Sequence, residues 1–197
     1  MRKSIQLAAL LAAAVLAGCG SSPKSSFYTL SSGAAPQQAP ATAQYSVAIG
    51  AVTVPDIIDR PQLVTRAAGN QVTIDEFARW AAPLKSEIPR VIADNLTQLL
   101  NGARVSTYPQ SGNTDTDYLV AIEVQRFDSA LGDAATVEVL WTVRPPRSGA
   151  PKAGRSVVRE PVQGKDYDAL VAAHGRALAA VSADIANAIR AAAGGGK

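Results

Sequence analysis

The stretch YLVAIEVQRFDSALGDAATVEVLWTV, residues 118–143, is where the architecture can first be read. Tyr118 to Asp128 and Thr136 to Val143 are rich in β-branched and aromatic residues and flank a Gly132-Asp133 turn, so they predict two strands joined as a hairpin. In the second strand Val137, Val139, Trp141 and Val143 alternate with Thr136, Glu138, Leu140 and Thr142. Successive strand side chains point to opposite faces, so one face is predicted to be buried and the other wetter. A sheet with one dry face needs a cover, and the rest of the chain supplies candidates.

Downstream, Arg144 to Arg155 reads as a Pro/Gly/Arg loop and Ser156 to Val162 as a possible strand. Asp166 to Ala192 comes next as a helix with Tyr167, Leu170, Val171, His174, Leu178, Val181, Ile185 and Ile189 on one face,. Gly194-Gly195-Gly196 reads as a frayed tail. Upstream, Ser86 to Asn101 predicts a second helix, with Ile88, Val91, Ile92, Leu96, Leu99 and Leu100 as its apolar stripe, Pro89 in its first turn and Asn101-Gly102 as its stop. Between this helix and the hairpin, Arg104 to Tyr108 is a short strand and Pro109 to Thr116 a polar loop. Tyr45 to Val54 (YSVAIGAVTV) is an unbroken run of β-formers, the pattern of a buried strand. Pro55 to Pro61 is a loop with exposed Ile57 and Ile58. Leu63 to Arg66 and Gln71 to Ile74 form a hairpin around Gly69-Asn70, and Asp75 to Pro83 packs Phe77 and Trp80 against the next segment of chain. The order predicts one α+β domain (equally an α/β sandwich) over residues 45–193, a mixed or antiparallel sheet covered by two main helices.

The N-terminus carries a different signal. Arg2 and Lys3 precede an apolar run from Leu7 to Leu16, too short to span a bilayer but suited to a signal peptide over residues 1–18,. Leu16-Ala17-Gly18-Cys19 resembles the lipobox of bacterial lipoproteins, in which the cysteine is acylated and becomes the new N-terminus. Cys19 is therefore the expected covalent lipid attachment point, and no other cofactor is expected. Multiple acyl chains anchor a protein stably, each buried CH₂ contributing about 0.8 kcal/mol. Gly20 and Ser21 come after it, with no Asp to resemble an inner-membrane retention signal, which favours the periplasmic face of the outer membrane. Residues 19–44, rich in Ser, Ala, Pro and Gln, read as a lipidated flexible tether. Phe27-Tyr28-Thr29-Leu30 interrupts it as a strand-like patch expected to dock on the domain.

Composition narrows the chemistry. The chain of 197 residues is 47% hydrophobic, but Ala supplies 38 residues, so bulky core material is scarcer than that fraction suggests. One Cys and one His exclude an intrachain disulfide, a cysteine cluster and a multi-histidine metal site,. The formal charge of +3 falls to +1 once residues 1–18 leave, too little for a nucleic-acid binder. No phosphate-binding glycine loop, nucleophile elbow or H-E-x-x-H motif occurs. His174 on its apolar stripe reads as a buried structural histidine rather than a general base. Asp115 and Asp117 lack the calcium-loop pattern and suit a strand entry. Asp56 and Asp59 are a carboxylate pair in sequence alone. No catalytic residue and no metal ligand is assigned.

Two groups of residues remain as contact candidates. Arg144, Arg147, Lys152, Arg155 and Arg159, relieved only by Glu160, could meet anionic headgroups or an acidic partner; the plainer reading is a solvated hairpin loop. The other group carries a resemblance. The lipobox, Phe27 to Leu30, VAIGAVTVPDIIDRPQLVTR (Val47 to Arg66), FARWAAPLKSEIPRVIADNL (Phe77 to Leu96) and Asp117 to Val120 together resemble the ABC-type transport auxiliary lipoprotein family, from Phe27 to about Ile189. The resemblance implies a small domain with a mixed sheet and packed helices. It also implies a non-enzymatic outer-membrane lipoprotein beside an MCE-domain protein of an intermembrane phospholipid transport system, and a homo-oligomer. Pro55, Asp59, Arg60, Pro61, Leu63, Val64 and Arg66, with Arg79, Trp80 and Pro83, match the family pattern and are carried over as structural or partner-contact residues. The alternative is a periplasmic carrier holding lipid in an apolar pocket.

Overall fold

The computed structural model describes residues 23–33, 43–107, 116–145 and 149–194. The leader, Cys19, Tyr108, Asp115 and Arg147 lie outside the described residues. In chain order the elements are β1 (Ser26–Tyr28), β2 (Ser46–Thr53), β3 (Gln62–Arg66), β4 (Val72–Trp80), α1 (Leu84–Leu99), β5 (Arg104–Thr107), β6 (Tyr118–Ser129), β7 (Ala134–Arg144), β8 (Lys152–Pro161) and α2 (Tyr167–Gly194).

The β6–β7 hairpin is the centre of a five-stranded sheet of order β5-β2-β6-β7-β8, with β2 parallel to both β5 and β6 and the other pairs antiparallel. Val137, Val139 and Val143 face inward and are fully buried, while Leu140 on the opposite face is exposed. Both helices cover the inner face, α1 over β2 and β5, α2 over β7 and β8. The space between is filled by Val47, Ile49, Ile92, Leu96, Leu178, Val181 and Ile185, each wholly removed from water. Burial of aliphatic side chains at this density is the main stabilising term, about 1.5–3 kcal/mol for each large one. Among the described residues the fold is α+β, with two helices and a single domain, as the periodicity predicts. A second, three-stranded sheet of order β1-β4-β3 accompanies the main one.

Several local expectations are corrected. Lys152 opens β8, so the loop between β7 and β8 is shorter than the Arg144–Arg155 reading, and Arg155 is a strand residue like Arg159. Ile58 is buried, not exposed, because the Pro55–Asp59 turn folds it into the core. α1 starts at Leu84, with Pro83 at its N-cap, so Pro89 lies beyond the first turn. The buried Leu84 side chain holds this earlier turn in place, although Pro89 has no N–H to offer the Lys85 carbonyl four residues back. β4 continues through Trp80 because the Asp75 carboxylate accepts the backbone N–H groups of Phe77 and Ala78 at 2.8 and 3.0 Å. This local capture shifts the register. The first half of β4 pairs antiparallel with β3, and its last residues pair parallel with β1. The Phe77 amide, then the Tyr167 hydroxyl, hold the Asp75 carboxyl below its ordinary range. The Tyr167 phenol in turn is pushed up to about 12, by burial first and by Asp75 second.

The folded unit reaches back to Ser26. The backbone of Leu30 is held at both ends: its N–H donates to Glu87 Oε2 at 3.2 Å and its carbonyl accepts from Arg90 Nη2 at 2.7 Å. Two residues on, Ser32 donates to Asn95 Oδ1 at 2.7 Å, and Asn95 donates to Ser182 on α2 at 3.2 Å. This strap crosses both helices. It passes α2 at Gly175, where a Cβ would stand 2.9 Å from the Ser31 carbonyl oxygen.

The larger sheet contains a comparable close approach. Trp141 lies opposite Gly154, and a Cβ at Gly154 would fall 2.2 Å from the indole ring. The ring's N–H donates to Ser156, whose hydroxyl donates to Asp184 on α2. Gly154→Val is therefore expected to push the indole off its place and cost about 1–3 kcal/mol, as overpacking does. Urea unfolding followed by tryptophan fluorescence reads both the loss and the changed native emission; an unchanged midpoint would refute the assignment.

Candidate functional site

The Pro55–Pro61 loop and the end of β4 meet through one backbone bond, from the Trp80 N–H to the Pro61 carbonyl at 2.7 Å. On the other side the Ala81 N–H donates to the Tyr28 carbonyl at 2.8 Å, so β1 also supports the junction. These contacts open a cleft of about 350 Å³ lined by Asp59, Arg60, Pro61, Trp80, Ala81, Ala82 and Pro83. Five of the predicted contact residues, Asp59, Arg60, Pro61, Trp80 and Pro83, thus share one site although two segments of chain supply them.

Each is positioned by its surroundings. Asp59 pairs with Lys85 in the first turn of α1 at 2.5 Å, and this contact is what raises the Lys85 ammonium above its ordinary value. Trp80 is buried and meets Phe127 edge-on at 6.2 Å between ring centres. Phe127 stacks on His174 at 3.9 Å, so an aromatic column runs from the cleft floor to α2. Arg60 Nε is shielded from water and has no hydrogen-bond partner among the described residues. A buried donor left unpaired costs about 1–3 kcal/mol, so Arg60 carries a hydrogen-bonding capacity that the described residues do not use. Apolar walls, a Trp and an Arg are the residue types that dominate binding at protein interfaces. Lys85 and Asp59 neutralise each other, and the described residues lining the cleft are otherwise apolar apart from Arg60.

The remaining predicted residues lie elsewhere. Arg66, at the end of β3, bonds Asp128 on β6 at 2.5 Å and ties the small sheet to the large one. Arg79 points outward in register with Phe27 and Gln62. Leu63 is buried and Val64 half-buried. The basic cluster is not a strip of one sign, which corrects the reading that Glu160 alone relieves it. Arg155 pairs with Glu138 at 2.8 Å and Arg159 with Asp133 at 2.5 Å, while Glu160 pairs with Arg176. Arg144 closes β7 and Lys152 opens β8, in register near the same sheet end. Asp117 serves strand entry: it accepts the Ser46 N–H at 2.7 Å and hydroxyl at 2.9 Å, which hold its carboxyl below the ordinary range. His174 is fully buried, with Ser129 Oγ at 2.8 Å from its Nε2.

Sequence reasoning missed Lys85 at the cleft and the strap-holding pair Glu87 and Asn95. A signal for the latter exists: both are polar, four-residue neighbours of Val91, on the apolar side of α1.

Fold and cleft together describe a single α+β domain with a cleft where the Pro55–Pro61 loop meets the end of β4. The chain belongs to the ABC-type transport auxiliary lipoprotein component family, whose model matches residues 28–186. Membership brings a transport-associated role, lipoprotein character with membrane association, and a transporter as partner. A crystal structure of an uncharacterized protein is similar at 22% identity with a TM-score of 0.71, covering 85% of this chain and 99% of its own. Protein XCC0632 from Xanthomonas campestris is similar at 21% identity and a TM-score of 0.68, covering 82% and 93%. At these identities the likeness concerns the fold. No curated protein matches the sequence.

Proposed function

We propose that the chain is an outer-membrane lipoprotein, acylated at Cys19 and facing the periplasm. It acts there as the non-enzymatic docking component of an MCE-type intermembrane phospholipid transport system. Several copies assemble to do so. The observation that carries this reading is the convergence of Asp59, Arg60, Pro61 and Trp80 on one cleft with an unpaired buried Arg60 Nε. That site suits a partner segment presenting an apolar side chain and a carbonyl or carboxylate oxygen. Docking is preferred to lipid carriage because side chains fill the space between helices and sheet, where a carrier would hold acyl chains.

Arg60→Ala is expected to weaken capture of the MCE partner by about tenfold or more, since truncating an interface arginine commonly costs above 1 kcal/mol. Co-purification from solubilised envelopes, with thermal unfolding of the variant beside it, reads the loss. Unchanged capture by a folded Arg60→Ala protein would refute the cleft's role. Cys19→Ala is expected to abolish capture in cells while leaving the purified domain's fold intact.

A further inference from the structure

Ser26 lies seven residue steps beyond Cys19, which reach about 25 Å at full extension. A domain of this length is roughly 40 Å across. An anchor on so short a leash cannot swing to the far side, so the side carrying β1 is the one turned toward the membrane. Among the described residues β1 pairs with β4 alone, at the border of the small sheet. The inner face of that sheet is core, with Leu63, Ala78 and Trp80 buried. Its outer face carries four exposed apolar side chains, Phe27 at 64% exposed, Val72 at 51%, Phe77 at 44% and Ile74 at 36%, beside Glu76, which accepts from Gln62 of β3 at 3.1 Å. Phe27 stands in register with Arg79, and Phe77 precedes Arg79 by the two-residue step that keeps it on the same face,. Among the described residues neither Arg79 nor Lys24, just ahead of β1, takes part in an ion pair.

We propose that this outer face of the β1-β4-β3 sheet rests on the anionic lipid surface that holds the anchor. Phe27, Phe77, Ile74 and Val72 dip into the interface, and Lys24 and Arg79 lie against the headgroups. The proposal rests on the acylation of Cys19 proposed above. Apolar side chains flanked by basic ones are what such an interface selects. A short tether holds the patch at high effective concentration, so contacts too weak to recruit a free protein suffice to keep it seated. The domain is thereby oriented rather than merely leashed.

The test uses the full chain, purified from a host that processes lipoproteins and reconstituted into phosphatidylethanolamine–phosphatidylglycerol vesicles. Cys19 is the one cysteine, so Phe77→Cys, and separately Val72→Cys, takes an environment-sensitive fluorophore alone. Leu140→Cys on the outer face of the large sheet is the control. The expected result is a blue shift and loss of aqueous quenching at positions 77 and 72 on reconstitution, with no change at 140. Replacing Phe27 by Ser should diminish the shift at 77. Labels at 77 and 72 that stay aqueous in vesicles overturn the proposal. So does a shift that arises in detergent as protein concentration rises, which would assign the face to a second copy. Intact mass of the same sample reports the acyl chains; their absence refutes the anchor reading itself, separately from the docking face.

Discussion

Leu30→Ala is expected to lower the stability of the whole domain by about 2–5 kcal/mol, the range for removing a fully buried leucine side chain. Only 1% of Leu30 is exposed, and its two backbone polar groups are satisfied by Glu87 and Arg90 rather than by a strand or helix. Loss of its packing therefore loosens a strap whose hydrogen bonds have no replacement in the apolar seam between the helices. Urea unfolding measures the loss. Limited proteolysis should show earlier cleavage between residues 23 and 33 in the variant. Asp94→Ala, which removes an exposed helical partner of Arg90 at 3.1 Å, is the contrast and should cost no more than about 0.5 kcal/mol. A Leu30→Ala protein within that same margin would mean that the arm is not part of the core.

His174 should make folding stability fall steeply in mild acid. Burial pushes its imidazole down to about 3, and its Nδ1 has no hydrogen-bond partner. In the unfolded chain the same group takes a proton near its ordinary value of about 6.5. Between those values the unfolded state binds the more protons, so stability is full above about pH 6.5 and is lost as pH falls. The loss approaches about 1.4 kcal/mol per pH unit. Against His174→Gln, which has no such titration, the wild type should lose roughly 3 kcal/mol more between about pH 7 and about pH 4.5. The carboxylates are common to both proteins and cancel in that difference. Parallel pH profiles would show that the imidazole is protonated inside the fold.

The two predictions also mark what could and could not be read ahead of the structure. His174 could be: it falls on the stripe of Leu170, Val171, Leu178 and Val181, and a helix repeats its facing positions within a turn. The strap could not, since Glu87 and Asn95 find Leu30 and Ser32 more than fifty residues away. The candidate cleft stands between these cases. Its two motifs, Asp59-Arg60-Pro61 and Trp80 with Pro83, are visible as separate runs. Their union depends on the Trp80 to Pro61 bond and on a β4 whose register with β3 shifts between Asp75 and Arg79. That change depends on hydrogen bonds from Phe77, Ala78 and Tyr167, the last from the far end of the chain.

The hairpin, both helices and the scarcity of reactive groups are written in the residues, because a repeat of two or of 3.6 is carried by near neighbours. Family membership is carried by the same runs. Pairing across the chain is different in kind. A second sheet, an arm built into the core, basic side chains neutralised by Glu138 and Asp133, and an arginine Nε without a partner among the described residues all depend on which distant segments meet. That outcome is set by the packing of the complete fold, in which burial and polar satisfaction must be met together, and no local spacing encodes it.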